Sequence, residues 1–116
     1  MLYPQLEPIN KPINVTAAGD NVILSNTSDV AVNVSEMIFS PSVAMTVQIK
    51  VGTNVIATHN LGINQGLTIS NVINDSNQRI ILPQGKDLIL NLSAAGTVSG
   101  TIRYALLNVI EKGSVI

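Results

Sequence analysis

The stretch Met45-Thr46-Val47-Gln48-Ile49-Lys50-Val51, followed by Gly52-Thr53-Asn54 and Val55-Ile56-Ala57-Thr58, decides how this chain folds. Met45, Val47, Ile49 and Val51 alternate with Thr46, Gln48 and Lys50. Side chains on a strand point to opposite faces in turn, so this pattern sets one face against a core and the other toward water. A helix would scatter the same apolar residues around its circumference. Gly52-Thr53-Asn54 has tight-turn chemistry, and residues 44–58 therefore predict a β-hairpin.

The same period recurs in both directions. Downstream, Leu67 and Ile69 mark a strand, and residues 79–82 form a short run stopped by Pro83-Gln84-Gly85. Leu88, Leu90 and Leu92 then alternate with Asp87, Ile89, Asn91 and Ser93, while Val98, Ile102, Tyr104 and Leu106 share a face of a long last strand reaching toward Ile110. Upstream, residues 13–17 and 22–25 are short strands. A run through Val30, Val32 and Val34 continues past Glu36 to Phe39 and breaks at Pro41. Polar and glycine-bearing turns separate these runs at 18–21, 26–29, 74–77 and 94–96, and residues 59–66 have the look of a loop. No stretch has a convincing helical period. Short strands at this spacing predict an all-β fold, a two-sheet antiparallel β-sandwich, with the strand order left open.

Residues 1–12 stand apart. Pro4, Pro8 and Pro12 each fix φ, lack an N–H and push the preceding residue toward extended geometry. The expectation is an extended N-terminal arm over 1–12 and a β-sandwich domain over 13–116. Leu2, Tyr3, Leu6 and Ile9 are its candidate partner-binding residues. Two readings stand: a loose terminus, or an arm that docks on a neighbouring subunit. For self-association the candidates are Ile63 and Leu67, taken as exposed apolar positions.

Composition narrows the function. The chain has 116 residues, enough for one core without staples. Apolar residues make up 46%, yet aromatics are only 3%, and charged residues are 11% where soluble domains carry roughly 25%. An exterior of Asn, Ser, Thr and Gln with so little charge suggests a surface that partners cover. The net charge is −1 and Lys11, Lys50, Arg79, Lys86, Arg103 and Lys112 are scattered, so nucleic acid is not an expected partner. Cysteine is absent, which excludes disulfides and thiolate metal sites. No apolar run approaches the roughly 20 residues of a membrane span, and the opening residues lack a signal-peptide pattern.

Catalytic equipment is not apparent. His59 is the one histidine, with no carboxylate within ten residues of it in sequence. Asp20, Asp29, Asp75 and Asp87 all fall at strand ends or turns, where aspartate bonds the local backbone. No nucleophile elbow or phosphate-binding glycine loop exists. The expectation is a non-enzyme with no cofactor and no metal. Gly100 alone among the glycines lies inside a strand pattern, and marks either a bulge or a closely packed neighbour. Asn-x-Ser/Thr triplets begin at Asn14, Asn26, Asn33 and Asn91, and are read as chance in so Asn- and Ser-rich a chain.

The order of these segments resembles the bacteriophage capsid decoration, or cement, proteins. The resemblance rests on Ile13-Asn14-Val15-Thr16-Ala17-Ala18-Gly19-Asp20, on Met45-Thr46-Val47-Gln48-Ile49, on Leu88-Ile89-Leu90-Asn91-Leu92-Ser93, and on Val98-Ser99-Gly100-Thr101-Ile102-Arg103-Tyr104. It is one of pattern and covers about residues 13–110. It implies a jelly-roll-like sandwich, a homotrimer, and contacts with the major capsid protein and with copies of itself. It also implies a place on the capsid exterior after synthesis in the host cytoplasm. It carries over no catalytic or ligand residues. The alternative is a receptor- or carbohydrate-binding module of a phage tail or fibre, which usually requires exposed aromatic platforms.

Overall fold

A computed structural model describes residues 8–70 and 80–106. Among these the chain forms β1 (Ile9–Val15), β2 (Gly19–Ser25), β3 (Val32–Pro41), β4 (Met45–Val51) and β5 (Asn54–Leu61), then β6 (Leu67–Ser70), β7 (Ile80–Leu82), β8 (Asp87–Leu92) and β9 (Val98–Leu106). No described residue is helical. The fold is the all-β, two-sheet antiparallel sandwich that the period-two runs predict.

One sheet has the order β1-β9-β3-β6, with β7 also paired to β3, and the other has the order β2-β8-β4-β5. Consecutive strands mostly cross from one sheet to the other, and β4–β5 is a local hairpin joined at Gly52, whose φ is 62°. Interleaved crossing of this kind is the wiring of a jelly roll.

The core is what the alternation dictates. Leu88, Leu90 and Leu92 of β8 and Val47 and Ile49 of β4 face Met37 and Phe39 of β3 and Val98 and Ile102 of β9, all sealed from water. Each such side chain contributes about 1.5–3 kcal/mol relative to exposure. Tyr104 packs against this core from its edge, half-buried.

Several boundaries differ from the sequence reading. β1 begins at Ile9, so residues 9–12, assigned by their prolines to the arm, pair with β9 from Ile9↔Tyr104 to Pro12↔Thr101. Among the described residues β1 is an edge strand, where proline is tolerated because one side of the backbone has no ladder to complete. β2 begins at Gly19, inside the expected turn, and β5 continues through His59 and Asn60 to Leu61, inside the expected loop.

Gly100 is not a bulge. It pairs in unbroken register with Ile13 on one side and Phe39 on the other. The bulge lies at Ser35, between the pairs Val34↔Tyr104 and Glu36↔Arg103. That extra residue reverses the alternation, so Val32 and Val34 face inward before it and Met37 and Phe39 after it.

Candidate functional site

The outer face of the β2-β8-β4-β5 sheet is built in rows by strand register. Val22, Ile89, Lys50 and Val55 form one row, and Asp20, Asn91, Gln48 and Thr58 the next. Val22 and Val55 are 52% and 43% exposed. Ile56 is left unpaired where the β4–β5 register shifts, and is also exposed.

On this face Asp20 is paired with Lys50, and Asp87 shares the outward phase of β8. The Asp20 carboxylate accepts a hydrogen bond from Asn91 Nδ2 at 2.7 Å and from Lys50 Nζ at 3.0 Å. The Asn91 amide, and after it the Lys50 ammonium, hold the Asp20 carboxyl below the ordinary aspartate range. Further along, the Thr46 hydroxyl donates to Asn60 Oδ1 at 2.6 Å. The result is a face of mostly aliphatic, hydroxyl and amide groups with few charges.

A second feature lies at one end of the sandwich. A cleft of about 230 Å³ opens between Ile9, Tyr104 and Leu106 of one sheet and Leu24 and the 25–28 turn of the other. Asn26 fixes this corner. Its amide donates to the carbonyls of Val30 (2.8 Å) and Leu82 (2.9 Å), and its Oδ1 accepts from the Ser28 backbone N–H and hydroxyl. The Asn26-Thr27-Ser28 triplet is thus spent on structure. Asn26 is 3% exposed, with no free amide to modify.

The sequence-predicted site residues fare unequally. Leu2, Tyr3 and Leu6 lie outside the described residues. Ile9 lies in β1, 46% exposed, on the wall of the end cleft. Ile63 is exposed at 66%, in the turn between β5 and β6. Leu67 is not an exposed partner to it. Leu67 pairs with Phe39 in β6 and packs half-buried against the core, because it occupies the inward phase of that strand. His59 is a strand residue beside Val47, not a loop residue. Among the described residues no group of three His, Cys, Asp or Glu side chains could hold a metal ion.

Val22, Val55 and Ile56 were not singled out by sequence reasoning. The signal was present at Val55-Ile56, since two adjacent strand residues cannot both face the core without a bulge.

No protein family matches the chain, and neither does any curated protein. Among solved structures, one of infectious bursal disease virus, Gx strain, is similar at 12% identity and a TM-score of 0.35. The match covers 89% of this chain and 33% of that one. This chain thus spans a third of that chain's length, and a likeness at that score carries no argument about function.

Proposed function

We propose that this chain is a structural virion protein, a bacteriophage capsid decoration or cement protein that binds and stabilises the assembled shell of the major capsid protein. In this reading it is made in the host cytoplasm, associates with itself as a homotrimer, and sits on the capsid exterior. The observation that carries the reading is the outer face of the β2-β8-β4-β5 sheet. There Val22, Val55 and Ile56 are exposed, and charge is sparse, with Asp20 paired to Lys50 and Asp87 at the start of β8. The sequence resemblance to decoration proteins supports it.

The mechanism is linkage. A protein that binds the closed shell and not its dissociated subunits shifts the assembly equilibrium toward the shell. Many copies per particle multiply a modest contact. Co-sedimentation with purified shells tests this. Saturable binding to assembled shells supports the reading, and recovery of the protein only in the supernatant rejects it. Removing residues 1–7 should weaken shell binding if Leu2, Tyr3 and Leu6 contact the shell, and unchanged occupancy rejects that role.

The end cleft favours one second reading, a receptor- or carbohydrate-binding module of a tail or fibre. It places Tyr104 near the hydroxyl-bearing Ser25, Thr27 and Ser28. A glycan array separates the two. A hit abolished by Tyr104→Ala selects the second reading, and an array without hits removes it.

A further inference from the structure

A strand at a sheet edge presents N–H and C=O groups that another chain can pair with, and proteins usually blunt such edges. Most edges here are blunted. β1 carries Lys11 and Pro12. β2 carries Asp20 and is interrupted at Ile23, where its register with β8 shifts. β6 and β7 are only four and three residues long.

β5 is different. Its eight residues, Asn54-Val55-Ile56-Ala57-Thr58-His59-Asn60-Leu61, include no proline, lysine, arginine or carboxylate. Among the described residues no strand pairs with its outer side. Its one irregularity, Ile56, lies near its start, and Ala57 to Leu61 pair with β4 in unbroken register. The middle of that regular stretch is His59.

We propose that β5 pairs antiparallel with β5 of a second copy, across a two-fold axis at His59, so that one continuous sheet spans both molecules. Antiparallel pairing of a strand with itself is isologous, so one edge supplies both halves of the contact. The register sets Thr58 opposite Asn60 of the second copy on the outer face, and Ala57 opposite its Leu61 on the inner face. No lysine, arginine or carboxylate meets its like, which would oppose the pairing. The same operation on β1 or β2 brings two copies of Lys11 or of Asp20 into one ladder. Exposed Val55 and Ile56 flank the new ladder and gain cover from it.

A five-residue ladder is about 17 Å long, which makes this a small contact. The pairing is therefore weak in free solution and is strengthened where a scaffold holds copies side by side. It rests on the edge of β5 and not on the virion reading, so either can fail alone.

Cross-linking tests it, because the chain has no cysteine of its own. Facing residues in an antiparallel pair have Cα atoms about 4.5–5.5 Å apart, within disulfide range. Under mild oxidation His59→Cys should form a disulfide-linked dimer about tenfold faster than Thr68→Cys, an exposed position on β6, since pairing raises the effective concentration of the thiols. A mixture of Thr58→Cys and Asn60→Cys should cross-link faster than either variant alone, and both positions are exposed enough to tolerate the change. His59→Cys reacting no faster than Thr68→Cys overturns the proposal. So does Thr58→Cys alone matching the mixture.

Discussion

The carbonyl of Ile38 fills the space that a β-carbon on Gly100 would occupy, and Phe39 Cα lies 2.7 Å from the same point. β9 and β3 pair through this position without interruption, with Gly100 opposite Phe39. Glycine is needed here for close approach, not for an unusual φ. Gly100→Ala should therefore destabilise the fold by about 3 kcal/mol, at the upper end for overpacked sites, because backbone atoms cannot rotate away. Urea unfolding measures it. A loss below about 0.5 kcal/mol, typical of surface changes, would contradict the packing described.

The Asn26 side chain serves four hydrogen bonds at the corner between β2 and β3. Asn26→Ala strips the donors from the carbonyls of Val30 and Leu82 and should cost about 2–4 kcal/mol. Asn26→Asp should not restore stability, since a carboxylate offers those two carbonyls no hydrogen. Chemical denaturation of both variants provides the check, and an Asp variant as stable as the parent would count against this network.

Leu67 and Ile63 separate core from surface within a few residues. Leu67→Ala should lose about 1–2 kcal/mol, reduced from the full-burial cost because the side chain is only half covered. Ile63→Ala should stay within about 0.5 kcal/mol of the parent. Thermal unfolding distinguishes them, and equal effects would place Leu67 on the surface after all.

Asp20 gives the stability a defined pH dependence. Its carboxyl is held below the ordinary range by Asn91 and Lys50, so the contribution is present above the unfolded-state value. That contribution is lost as pH falls through the lowered folded-state value. Relative to the parent, Asp20→Asn should be less stable at neutral pH and converge with it in strong acid. The site is exposed and the effect small. A gap between parent and variant that widened on acidification would reverse the sign and refute the pairing.

Truncation tests where the sandwich begins. Removing residues 1–7 leaves every described strand intact. Removing residues 1–12 deletes Ile9, Asn10, Lys11 and Pro12, which face Tyr104, Arg103, Ile102 and Thr101. The first variant should keep the parent's unfolding midpoint and the second should lower it. Equal midpoints would restore residues 9–12 to the arm.

Strands buried on one face were legible from the sequence, as at Leu88, Leu90 and Leu92 and at Val47 and Ile49, because burial imposes the alternation. The edge strands were legible too, but not their bounds. His59 and Asn60 extend β5 and Pro12 lies within β1, where among the described residues no strand pairs with the outer side and side-chain chemistry is weakly constrained. The bulge at Ser35 left a trace, since the apolar positions shift phase between Val34 and Met37. The exposed patch was harder still. Whether Val22 faces out depends on the register with β8 and the shift at Ile23, which no local pattern encodes.

Co-sedimentation of the purified protein with assembled shells, and separately with dissociated capsid subunits, tests the central claim most directly. Saturable capture by the shells together with no capture by the subunits is the predicted result. Protein that stays in the supernatant with both, across the full concentration range, would contradict it.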